Sequence, residues 1–253
     1  RKGRGAAGLA LAALISASFT ATPAHAAEDS LSEGLVHYFK LNETSGTTLA
    51  NSGSAGSAAN ATIVNPDKVA LTGNGVRFNP DSYEDALSGG YVRLPDNLTA
   101  GMTDLTIAFD VWVDPANVGN HQIFSFARKT GSCDVDTGTQ GILFASNTAP
   151  RPGARFRIGV GNSNVMAAAP SRLPEGTWQH VTYTQSLNAN GTSWSGRLYV
   201  DGVLRAQVTN LTQTPEVNAA GTNCNFLARS ATSGDYSFRG TIKEFRVYNR
   251  ALS

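Results

Sequence analysis

The chain has 253 residues, 41% hydrophobic, 8% aromatic and 15% charged, and its 20 basic and 19 acidic side chains leave a formal charge of +1. That apolar content supplies a sizeable core and excludes a disordered or collagen-like chain. Near-neutrality excludes a field strong enough to gather nucleic acid or an anionic membrane. Residues 1–26 begin with Arg1, Lys2 and Arg4, continue through an apolar stretch over 6–19 and end on small residues at Ala24 and Ala26. A cationic start, an apolar middle too short and Ala-rich to hold a bilayer, and an A-x-A end predict a secretory signal peptide cleaved after Ala26. Residues 27–253 are then a single secreted domain without membrane attachment.

Short strands are predicted at 34–41, 61–64, 76–79, 91–94, 105–114, 121–128, 141–145, 155–160, 177–185, 196–201, 203–209 and in the last segment, GTIKEFRVYNRAL. The pattern is clearest in LTIAFDVWVD, where Leu105, Ile107, Phe109, Val111 and Val113 alternate with Thr106, Ala108, Asp110 and Trp112, a period of two. Asp201-Gly202, between two such strands, marks a two-residue hairpin. The run 42–60, rich in Asn, Ser and Gly, reads as a surface loop. No helical apolar stripe appears after the leader, so the fold class is all-β, an antiparallel two-sheet sandwich. Cys133 and Cys224, the two cysteines of an exported chain, are expected to bond to each other and staple two loops.

The chemistry-bearing residues are sparse. Asp134 and Asp136 have i, i+2 spacing but sit in a Gly- and Thr-rich run that reads as loop; as a glycosidase pair they are a minor alternative. The histidines form no metal-binding or nucleophile-activating pattern: His37 and His180 read as sheet residues and His121 as a strand opening. A hard cation such as Ca²⁺ would use Glu43, in the first long loop, and Glu244, in the last strand. Trp194, in NANGTSWSG, and Tyr83 and Tyr236, in Gly/Ser-rich runs, are the aromatics best placed to stack on a sugar ring, whereas Trp112 and Trp178 read as packing residues.

Several segments together carry a resemblance. GLVHYFKLNETSGTTLANSGSAGSAANATIVN at 34–65, GTWQHV at 176–181, RLYVDGV at 197–203 and FRGTIKEFRVYNRALS at 238–253 resemble, in the same order, motifs of laminin-G-like, concanavalin A-like jelly-roll domains of secreted bacterial proteins. The resemblance implies a jelly-roll sandwich that performs no chemistry and binds polysaccharide or glycan, often attached to a glycoside hydrolase or another extracellular enzyme. The chain ends on the family's terminal motif, so a further module is expected beyond Ser253. The resemblance also implies a structural calcium near Glu43, Asn51 and Glu244, although Asn51 and Lys243 stand where the family often has Asp. The rival reading from another class is a structural spacer that binds nothing.

Overall fold

A computed structural model describes residues 31–81, 85–117, 119–135, 140–146, 172–216 and 222–253. The chain divides into two units, Arg1–Glu33 and Gly34–Ser253. The predicted leader and the predicted strand at 155–160 lie outside the described residues, as do Tyr83 and Asp136. Among the described residues, no helix is long and apolar enough to cross a membrane.

Among the described residues, the second unit has fourteen strands: β1 Leu35–Phe39, β2 Thr48–Leu49, β3 Ala61–Val64, β4 Val69–Leu71, β5 Val76–Phe78, β6 Tyr91–Arg93, β7 Leu105–Val113, β8 Phe124–Lys129, β9 Gln140–Phe144, β10 Trp178–Leu187, β11 Trp194–Val200, β12 Val203–Leu211, β13 Thr222–Leu227 and β14 Gly240–Tyr248. They form two antiparallel sheets. One runs β12-β11-β10-β7-β14-β5-β4, with β1 also pairing β14; the other runs β2-β3-β6-β13-β8-β9. β5 pairs the first residues of β14 and β1 pairs its last, so both share one edge of that long strand.

Period-two patterning decides which side chains meet between the sheets. From the eight-stranded sheet, Ile107, Phe109, Val111, Val181, Tyr183, Ile242 and Phe245 point inward; from the six-stranded sheet, Phe124, Phe126, Ile142 and Phe144. The Phe109 ring centre lies 5.8 Å from Phe124, 5.7 Å from Phe144 and 5.5 Å from Phe245, an aromatic cluster at the centre of the core. The hairpin at Asp201-Gly202 forms as predicted, with φ of 51° and 75°, the pair of positive angles that a type I′ turn requires.

Three strands were not predicted. β2 lies inside the supposed surface loop, where Leu49 is fully buried and Asn51 ties the loop together: its Oδ1 accepts from Tyr38 N–H and Gly53 N–H, and its Nδ2 donates to Gly56 O. β13 (TNCNFL) lacks an alternating pattern because both of its faces are covered. Leu227 faces the core, Cys224 and Phe226 pack in a second apolar cluster, and Asn225 is buried with its Nδ2 donating to Pro95 O at 2.8 Å. β4 is only three residues long and pairs β5 at the sheet edge.

His37, in β1, is buried against Phe39, and its Nδ1 has no hydrogen-bond partner. Burial pushes its pKa below 6.5, opposed by a backbone hydrogen bond at Leu98. The folded state therefore binds this proton less readily than the unfolded chain. The stability due to neutral His37 is complete above pH 6.5 and is lost as the pH falls from there through the lowered folded value, by at most about 1.4 kcal/mol per pH unit. Urea melts from pH 8 to pH 5 should show this decline, and His37→Gln should flatten it; parallel curves for the two proteins would contradict the assignment.

Candidate functional site

The outer face of the six-stranded sheet is roofed at one end and open at the other. At the roofed end the Cys133–Cys224 disulfide, predicted from the sequence, pins the 130–135 loop to β13, with 5.6 Å between the two Cα atoms. Buried Lys129 donates to Cys133 O at 3.2 Å and Val135 O at 2.6 Å from below that loop. Arg229, 4% exposed, lies on the same face with its guanidinium 4.5 Å from the Phe226 ring centre and 4.8 Å from that of Tyr91. It donates to Tyr91 Oη at 3.0 Å and to Asp134 Oδ1 at 2.5 Å. Asp134 is thus an ion-pair partner that helps hold the roof. A carboxylate bound in this way is poorly suited to act as a nucleophile or general acid, and the predicted i+2 partner, Asp136, lies outside the described residues.

The open end lies before β8, where a depression of about 200 Å³ is lined by Asn120, His121, Gln122, Leu143, Ala145, Thr232 and Asp235. Its polar groups are held in fixed orientations. Asp235 Oδ2 accepts from Ser230 Oγ at 2.5 Å and from Gln122 Nε2 at 3.3 Å, while Gln122 Oε1 accepts from Ala231 N–H at 3.3 Å. The ring Nε2 of buried His121 lies 2.6 Å from Ser146 Oγ. Leu143 and Ala145 supply apolar surface beside these groups. Tyr236, adjacent to the depression, is anchored by its N–H donating to Asn120 O at 2.8 Å, and the residue is 43% exposed. Such a site can hydrogen-bond a hydroxylated ligand and offer a ring face to its C–H surface. Asp235 is the sole carboxylate among the described lining residues, which by themselves do not supply the pair of acids that glycoside hydrolysis uses.

Of the predicted sugar-stacking aromatics, Tyr236 thus stands beside the depression and Tyr83 lies outside the described residues. Trp194 differs from expectation: it opens β11 rather than lying in a loop. The turn is shorter than its composition suggests, because Asn190 Oδ1 accepts from Thr192 N–H and Ser193 N–H and closes it before Trp194. The indole is partly buried, and its Nε1 donates to Thr103 O at 2.8 Å. Trp178 differs in the opposite sense, being 45% exposed on a sheet surface instead of packed. Sequence reasoning missed His121, Gln122 and Asp235 as a group; the signal available was Asp235 beside Tyr236 in the polar run TSGDYS.

The three residues expected at calcium each have partners within the protein. Glu43 Oε1 accepts from Ala50 N–H at 2.9 Å, and its Oε2 is buried without a hydrogen-bond partner. The Asn51 oxygen already accepts two peptide N–H groups. Glu244 accepts from Tyr38 Oη–H at 2.6 Å and contacts the Arg246 guanidinium, whose positive charge opposes a divalent ion at the same carboxylate. Among the described residues, no three His, Cys, Asp or Glu side chains gather as a metal site.

The sequence profile of the concanavalin A-like lectin/glucanases superfamily matches residues 87–253, well over half of the chain. The chain belongs to that superfamily. Solved structures repeat the superfamily sandwich at low identity. Domain 4 of AbnA, a GH43 extracellular arabinanase from Geobacillus stearothermophilus solved with arabinotriose, is 19% identical with a TM-score of 0.60, over 87% of this chain and 94% of that one. A mutant Trypanosoma rangeli sialidase displaying trans-sialidase activity is 16% identical with a TM-score of 0.58, and the match spans only 31% of that enzyme. The alginate lyase Aly36B is 13% identical with a TM-score of 0.51, over 87% of this chain and 99% of that one. The same fold thus occurs in an alginate lyase and in parts of an arabinanase and a sialidase. No curated protein sequence matches the chain.

Proposed function

We propose that this superfamily member is a secreted, non-catalytic carbohydrate-binding module that serves an adjacent catalytic domain and uses the depression beside Tyr236 for its ligand. One observation carries the reading: a concave site with oriented neutral and acidic polar groups, apolar surface and an exposed tyrosine, but a single carboxylate among its described lining residues. The fold's occurrence in an arabinanase domain solved with arabinotriose supports it further. The disulfide is consistent with export into an oxidising compartment.

Affinity electrophoresis of the whole chain through gels containing a panel of neutral polysaccharides tests the reading. Retardation is expected in at least one gel. Asp235→Asn should weaken binding about tenfold, since hydrogen bonds to charged groups contribute about 1.5–3 kcal/mol, and Gln122→Ala about fivefold, since a neutral hydrogen bond contributes about 0.5–1.5 kcal/mol. A protein retarded by none of the polysaccharides would favour the spacer, and turnover of any of them would favour an enzyme.

A further inference from the structure

The outer face of the eight-stranded sheet carries a second arrangement that the depression does not use. Neighbouring strands β10, β7, β14 and β5 place Trp178, Trp112, Thr241 and Arg77 at register with one another, and the next outward row holds His180, Asp110 and Lys243. Trp178 and Trp112 lie directly opposite each other across the β10–β7 pair, Trp178 exposed and Trp112 half-buried. With strands about 4.8 Å apart, the Trp178-to-Arg77 row spans about 14 Å, room for more than one sugar ring.

A bulge in β14 contributes to this face. Strict alternation would send Phe245 outward after Thr241 and Lys243. Instead Glu244 adopts φ 56°, the register shifts between Lys243 and Arg246, and Phe245 returns to the core. A non-glycine residue in the left-handed region costs free energy, and here it leaves two successive charged side chains, Lys243 and Glu244, partly exposed.

The charges of this face are unequal. His180 Nδ1 lies 2.7 Å from Asp110 Oδ1, and Asp114 is shared by two guanidiniums, Arg77 at 3.4 Å and Arg239 at 3.2 Å. Lys243 Nζ sits 4.5 Å from the centre of the Trp178 ring and has no hydrogen bond or ion pair among the described residues. Arg77 lies 5.7 Å from the Trp112 ring centre. Lys243 is therefore a cation of this face with no carboxylate partner among the described residues, and it lies against exposed indole surface. An anion drawn to Lys243 is brought onto the Trp178 ring.

We infer that this face binds an acidic polysaccharide, a uronate chain whose ring stacks on Trp178 while its carboxylate meets Lys243. The surface is independent of the depression and goes beyond its proposed function. The test is affinity electrophoresis of the full chain in polygalacturonate and in the same polymer after carboxyl reduction. Retardation is expected in the first and is to be lost or much reduced in the second. Trp178→Ala should weaken binding about tenfold, as loss of an aromatic stacking surface does. Lys243→Gln should weaken it several-fold and lessen its sensitivity to salt. Asp235→Asn should change it less than about twofold, because distant sites act independently. No retardation in polygalacturonate, equal retardation in the reduced polymer, or full binding by Trp178→Ala would each overturn the inference. Loss through Asp235→Asn with Trp178→Ala inert would overturn it while leaving the depression's role standing.

Discussion

Replacing both Cys133 and Cys224 with Ser is expected to lower stability by about 4 kcal/mol and the melting temperature by about 12 °C. The bond closes a loop between residues 91 apart, and its loss restores that conformational freedom to the unfolded chain. The native state loses contacts too. The 130–135 loop supplies the carbonyls that accept from Lys129 and the carboxylate that meets Arg229, and both of those cations are buried. Freed from β13, the loop would leave them poorly matched in an apolar setting. Melting curves with and without reductant check this: the wild-type protein in reductant should match the double variant. A melting temperature within about 2 °C of the oxidised protein would mean that the loop is held without the bond.

Phe245→Ala is expected to cost about 3–5 kcal/mol, enough to lower the melting temperature by about 10 °C. Phe245 contributes no exposed surface, and its ring meets Phe109 at 5.5 Å, Phe124 at 5.9 Å and Phe126 at 6.1 Å, so truncation opens a cavity where both sheets meet. Trp178→Ala removes a larger side chain yet should alter stability by less than about 0.5 kcal/mol, because that ring lies on the surface. Chemical denaturation of the two variants side by side measures the contrast. Equal losses would mean that Trp178 is a packing residue after all.

How far the sequence could be read follows from this contrast. Where one sheet face is buried and the other wet, as in β7, alternation names the strand and its inward set, and Phe109, Val111 and Val113 lie where the pattern predicts. Where both faces are covered, alternation vanishes, and β13 was missed because Asn223 and Asn225 look like loop residues until Pro95 is seen to accept the buried amide of Asn225. The disulfide was legible from two cysteines in a chain read as exported, whereas the depression was not. Its members come from 120–122, 143–145 and the 228–236 loop, brought together by pairing between strands distant in sequence. Tyr236 is exposed, as its place in a Gly/Ser-rich run suggests. The same reasoning misplaced Trp194, whose composition-defined loop is a tight turn closed by Asn190. The Trp178 surface was hidden for another reason: in a strand, the outward row differs from the inward one only by register, and the Glu244 bulge shifts that register within β14.

The proposed role of this superfamily member is to hold a glycan beside Tyr236 without cleaving it. Crystals soaked with an oligosaccharide of the polysaccharide that retards the protein best would test it most directly. The expected result is an intact sugar ring in the depression, hydrogen-bonded to Asp235 and Gln122 with its C–H face toward Tyr236. An empty depression with sugar bound elsewhere, or a shortened oligosaccharide in its place, would contradict the account.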